Sequence, residues 1–76
     1  MEEKIFYLKE NSEFIELMRL LKACDLCSTG GEAKMVISEG EVLFNGETEL
    51  QKRKKIRNGD VVEFNGAKIV VKDALL

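Results

Sequence analysis

Val61-Val62-Glu63-Phe64-Asn65-Gly66-Ala67-Lys68-Ile69-Val70-Val71-Lys72 reads as two β-strands and a tight turn. The runs Val61–Phe64 and Lys68–Lys72 are rich in β-branched residues, and Asn-Gly is the pair that two-residue hairpin turns favour. Working backwards, Asn58-Gly59 and Asn45-Gly46 are two further turn pairs. Val42 and Phe44 alternate with Glu41 and Leu43 just before the first of them. The second half of the chain is therefore β.

The first half changes period. Lys4–Lys9 carries the apolar run Ile5-Phe6-Tyr7-Leu8, a short strand. Asn11-Ser12 then offers an N-cap, with Glu13 and Glu16 in the first turn of a helix. Phe14, Leu17, Met18 and Leu21 fall at the spacing of one buried helical face, and Arg19 and Lys22 lie toward the C-terminal end. This helix stops near Asp25. A second begins at Thr29, where Thr29-Gly30-Gly31-Glu32 fits a capping box. Ala33, Val36 and Ile37 form its buried stripe, Lys34 and Ser38 point elsewhere, and Gly40 ends it. The expected fold class is α+β, two helices packed on a small, mostly antiparallel sheet in the order β-α-α-β-β-β.

Seventy-six residues make a single domain, 1–76, without proline, linker or repeat. A chain this short buries only about 60% of the surface its unfolded form exposes, which leaves no room for a doubly wound nucleotide-binding fold or a β/α barrel. Histidine is absent, and with it the commonest general base and metal ligand. No paired acid and base or nucleophile constellation is evident, so no catalytic residue is assigned and an enzyme is not expected. Cys24-Asp25-Leu26-Cys27 is a C-x-x-C, but zinc needs about four ligands and no second pair exists. Cys24 continues the face of Leu17 and Leu21 and reads as a small core residue. No cofactor or metal is expected. Met1-Glu2-Glu3-Lys4 lacks the plan of a signal peptide, no run is long enough to span a membrane, and two close cysteines suit a reducing compartment. A cytoplasmic protein is expected.

Two features could carry binding. Lys52-Arg53-Lys54-Lys55, with Arg57 beyond, holds five of the twelve basic residues. Such a run costs self-repulsion that phosphates relieve, or it is a solvated loop that keeps the chain soluble. Gly30-Gly31 opens the second helix with Lys34 one turn in. Bare glycines let a phosphate approach the free amides there, or they serve a tight turn that needs their dihedrals. Phe6, Tyr7, Phe14, Phe44 and Phe64 fall mostly on faces expected inside, as core and not as a base-stacking platform.

From Leu17 to Glu63 the chain resembles a known family, the S-four-type (alpha-L motif) RNA-binding domain. The residues that carry the likeness are Leu17 and Leu21, Thr29-Gly30-Gly31-Glu32-Ala33-Lys34, Ile37, Gly40, Val42, Phe44-Asn45-Gly46 and Gly59-Asp60-Val61-Val62. Three positions depart from the family pattern: Glu16 and Gly30 replace arginines, and Asp25 replaces a glycine. With Lys52-Arg53-Lys54-Lys55-Ile56 downstream, the variant is similar to the stand-alone bacterial YbcJ/YaaA-like subgroup, in which basic charge has moved to the later loop. The resemblance implies a non-catalytic binder of structured RNA, ribosomal or transfer RNA, through a basic groove, serving ribosome assembly or translation. It implies Lys34, Lys52, Arg53, Lys54, Lys55 and Arg57 as RNA contacts, to which the helix N-terminus adds Gly30 and Gly31. The partners expected are that RNA and ribosomal particles, with no membrane, for a monomer. An adaptor that sets the basic strip against an acidic protein is the alternative. A sulfur carrier, suggested by Gly59-Asp60-Val61-Val62, is disfavoured because the sequence ends Asp73-Ala74-Leu75-Leu76 instead of Gly-Gly.

The net charge of −2 conceals segregation. Residues 1–33 carry −3, residues 34–57 carry +2 and residues 58–76 carry −1. An acidic total is no argument against a polyanionic partner when the positive charge is confined to one stretch.

Overall fold

A computed structural model describes residues 2–74; Met1, Leu75 and Leu76, on which the readings of both termini partly fall, lie outside them. The expected hairpin is present as β6 (Val61–Phe64) and β7 (Ala67–Lys72), paired antiparallel with Phe64 opposite Ala67. Asn65 and Gly66 both take positive φ, 49° and 81°, the dihedral signs of a type I′ turn, whose twist matches that of the strands. The apolar run near the N-terminus becomes β1 (Glu2–Tyr7), which lies parallel to β7 at the sheet edge. On the other side of the hairpin, β3 (Leu43–Phe44) pairs with β6 and, through the Asn45-Gly46 turn, with β4 (Glu47–Thr48). The five-stranded sheet thus runs β1-β7-β6-β3-β4, with one parallel junction.

The helices are α1 (Leu17–Ala23) and α2 (Gly30–Ser38). Leu17, Leu20, Leu21, Ala33 and Ile37 are all fully buried, and they meet Leu8, Val42, Val62, Phe64, Ile69 and Val71 of the sheet side in one core. The long elements follow the expected order, and two helices on a mostly antiparallel sheet is the architecture found.

The start of α1 differs from expectation. Asn11 has φ 73° and belongs to a reversal in which the Ser12 amide donates to the Lys9 carbonyl. Ile15-Glu16 is not helical: it forms β2, paired antiparallel with β5 (Lys55–Ile56). The helix therefore begins at Leu17, and Arg19 stands in its first turn instead of toward its end. Positive charge is unfavourable there, but Glu16 lies 3.5 Å from the Arg19 guanidinium. The aromatics also differ. Only Phe64 is buried; Phe6 and Phe44 are half-buried, and Tyr7 and Phe14 are exposed.

Both helices end in the same way. Leu26 donates to the Leu21 carbonyl and Asp25 to Lys22; Glu41 donates to Val36 and Gly40 to Ile37. These are Schellman pairs, each with its left-handed residue at positive φ, Asp25 at 59° and Gly40 at 77°. Asp25 bears a side-chain penalty in that region and places a negative charge at the negative end of α1. Asp25→Gly is expected to raise stability by about 0.5–1 kcal/mol, measured from urea unfolding midpoints.

Candidate nucleic-acid interface

The basic stretch is held by its backbone. α1 has no side-chain N-cap, and two of its leading amides find acceptors elsewhere: Leu17 donates to the Lys54 carbonyl at 2.9 Å and Met18 to the Lys52 carbonyl at 3.0 Å. The loop thus supplies what a capping side chain usually does. Its own turn is closed by Lys54 donating to the Gln51 carbonyl, and the Gln51 amide donates to Glu49 Oε2 at 3.1 Å. Beyond it, Lys55 pairs with Glu16 in the β2–β5 ladder, and Ile56 is fully buried beside Ile15. Asp60 fixes the far end: its Oδ2 accepts from the Arg57 amide at 2.7 Å and its Oδ1 from Asn45 Nδ2 at 3.2 Å. Asn45 Oδ1 in turn accepts from the Val61 amide at 2.8 Å. The Asn45-Gly46 and Gly59-Asp60 motifs are therefore bonding partners that lock two turns together.

With the backbone so occupied, the side chains face outward. Lys52, Arg53, Lys55 and Arg57 are exposed and Lys54 is half-buried. The Lys54 ammonium sits 5.1 Å from the centre of the Phe44 ring, Lys55 5.0 Å from that of Phe14, and the Arg57 guanidinium 5.7 Å from Phe14. Such contacts are worth about 0.5–1 kcal/mol each at exposed sites. Among the described residues none of these five cations has a carboxylate within ion-pairing distance, the ion pairs being Lys4–Glu2 and Arg19–Glu16. They form a strip whose charge is not neutralised from within.

The second group reaches the same place through Met18. A methyl added at Gly30 would lie 3.6 Å from Met18 Cε, while the Met18 amide is the one bound by Lys52. The N-terminus of α2 and the basic loop thus flank a single residue. Lys34 is exposed one turn further on, about 6 Å along the axis from Gly30. Thr29 Oγ1 accepts from the Glu32 amide at 3.1 Å, the forward half of the capping box; the return bond is not made among the described residues. Neither Gly30 nor Gly31 takes a positive φ, and a Cβ at Gly31 meets nothing closer than Thr29 Oγ1 at 3.9 Å. The tight-turn explanation for the two glycines therefore fails: neither dihedrals nor neighbours demand them.

The remaining candidates are quiet. Cys24 is half-buried and Cys27 buried, both as free thiols. Burial pushes both thiols above the ordinary cysteine range, with Asp25 adding to the effect at Cys24 against Lys4, and Glu32 adding at Cys27. Both are protonated at neutral pH and weakly nucleophilic. Among the described residues no three acidic or cysteine side chains gather as a metal site, and no helix is long and apolar enough to cross a membrane. Sequence reasoning missed Phe14 and Phe44. Phe14 precedes β2 and Phe44 ends β3, and their approach to the basic run comes from pairing across the chain, which a pattern read along one element does not display.

Two helices packed on a mostly antiparallel, hairpin-centred sheet is the architecture expected of an S4 domain. The chain belongs to that family, whose model matches residues 7–72. Its relatives include a Bacillus subtilis protein named "Probable ribosome maturation protein RlbA", 43% identical over 56 residues that make up 74% of this chain and 79% of that one. YbcJ of Escherichia coli is 40% identical over 57 residues, 75% of this chain and 81% of its own. The solution structure of YbcJ, described as revealing an alfa-L motif involved in RNA-binding, superposes with a TM-score of 0.68 at 37% identity. That match covers 90% of this chain and 85% of YbcJ.

Proposed function

We propose that this protein binds structured RNA, without catalysing a reaction on it, through the Lys52–Arg57 strip and the N-terminus of α2. The observation that carries the reading is the set of five cations with no carboxylate partner among the described residues, three of them over two aromatic rings, on a loop tied to α1 through the carbonyls of Lys52 and Lys54. Phosphate oxygens are the natural counter-charge for such a strip, and structured RNA presents them at fixed spacing. The relatives' descriptions, ribosome maturation and RNA-binding, support ribosomal RNA as the target class and ribosome assembly as the setting, with transfer RNA as the alternative.

Titration with ribosomal and transfer RNA fragments, against duplex DNA and a non-nucleic polyanion, tests the reading. Affinity is expected to favour folded RNA and to fall by about 0.7–0.9 log units per log unit of salt for each phosphate neutralised. No detectable RNA binding at low salt, or equal binding to every polyanion, sinks it. Crosslinking and sequencing in cells then names the target.

Gly30 and Gly31 sharpen the proposal, because bare Cα positions without an internal reason suit close approach by a ligand backbone. Gly31→Ala is expected to stabilise the protein by up to about 1 kcal/mol, as alanine replaces glycine within a helix. The same change is expected to weaken RNA binding. A variant more stable and equally competent to bind would remove the α2 N-terminus from the interface.

A further inference from the structure

Beside the basic loop lies a groove of about 400 Å³ that the strip itself does not use. It opens where β1 and the segment leading into α1 diverge. Phe6, Phe14 and Ile15 give it apolar walls; Lys9, Glu16 and Arg19 give it a polar rim. The Glu16 carboxylate is already met by Arg19 at 3.5 Å, so the rim does not repel an approaching polyanion. Phe14 belongs to both features. Its ring lines the groove and also lies beneath Lys55 and Arg57. An anion held by those two cations is therefore adjacent to an aromatic-walled hollow.

The shape selects among the parts of an RNA. A double helix is too wide to enter, and its bases are already stacked on one another. A single base turned out of the stack is flat, apolar on its faces and polar at its edges, which matches aromatic walls with a charged rim. The volume lies within the range of sites that take one small molecule. We infer that this groove receives an unpaired nucleobase whose flanking phosphates rest on Lys55 and Arg57. The inference rests on the RNA-binding reading above and adds to it: the target carries a bulged or splayed-out nucleotide, and Phe14 is the residue that recognises it.

The test compares a blunt-ended RNA duplex bearing one bulged nucleotide, prepared with each of the four bases, with the same duplex fully paired. Wild-type protein is expected to prefer at least one bulged duplex by about tenfold or more, the scale of base–aromatic stacking. Phe14→Leu is expected to erase that preference. The readout is the ratio of bulged to paired affinity within the same variant, so any loss from the two cations that rest on Phe14 cancels. A fluorescent aminopurine at the bulge gives a readout independent of any variant, since its emission must change when wild-type protein saturates the duplex. Equal affinity for paired and bulged duplexes, an unaltered preference in Phe14→Leu, or unchanged emission at saturation overturns the groove alone. Failure of wild-type protein to bind any of these duplexes at low salt overturns the RNA-binding reading, and the groove with it.

Discussion

Arg53→Glu combined with Lys54→Glu is expected to lower affinity for structured RNA by about a hundredfold or more at low salt and to flatten its salt dependence by about 1.5 log units per log unit. That is the slope carried by two phosphate contacts at roughly 0.7–0.9 each. Both positions lie at the turn closed by Gln51 and Lys54, where Arg53 is exposed and Lys54 half-buried. Lys54 loses its place over Phe44, worth about 0.5–1 kcal/mol. The fold loses nothing else, because the carbonyl of Lys54 that accepts from Leu17 belongs to the main chain. The thermal midpoint should therefore move little while binding collapses. A double variant that binds as wild type does would exclude the strip as the contact surface.

Ile56→Ala is expected to do the reverse, acting first on stability. Ile56 is fully buried between basic neighbours, and truncating such a side chain costs about 2–5 kcal/mol. A domain of this length holds roughly 4–11 kcal/mol in total, so a large share disappears. Detaching β5 also releases the carbonyls that cap α1, which compounds the cavity. Urea unfolding is the measurement, with Leu50→Ala as the control. Leu50 is 62% exposed two positions before the run, and its loss should shift stability by no more than about 0.5 kcal/mol. Equal shifts for the two variants would show that Ile56 does not anchor the strip.

Of these features the sequence displays some and conceals others. The β6–β7 hairpin was legible because Asn65-Gly66 demands positive φ at adjacent positions, a local chemical requirement that two letters announce. The end of α2 was legible at Gly40 for the same reason, whereas α1 ends in the same left-handed turn at Asp25 without a glycine to announce it. The start of α1 was not. Asn11, Ser12, Glu13 and Glu16 carry every local sign of a helix N-terminus, yet the chain from Ile15 to Met18 takes its bonds from residues 52–56. A pairing across some forty positions overrides the local preference, and no periodicity within either segment reports it. With the helix start moved, Phe14 is exposed instead of on a buried face, so its place beneath Lys55 and Arg57 was hidden while the basic run itself was plain. The parallel pairing of β1 with β7 is concealed likewise, since partners at opposite ends of a chain leave no joint pattern.

The carbonyls of Lys52 and Lys54 have one more consequence. Because they cap α1, the loop is bound to the fold at each point where its length matters and free at each point where its chemistry matters. Side chains at 52, 53 and 55 can be exchanged for others without disturbing the core, so charge and partner preference can drift by single substitutions. Adding or deleting one residue there would displace a carbonyl and unravel the first turn of α1. Change of specificity in such a domain is thus cheap by replacement and costly by insertion: the loop is a fixed socket with interchangeable heads.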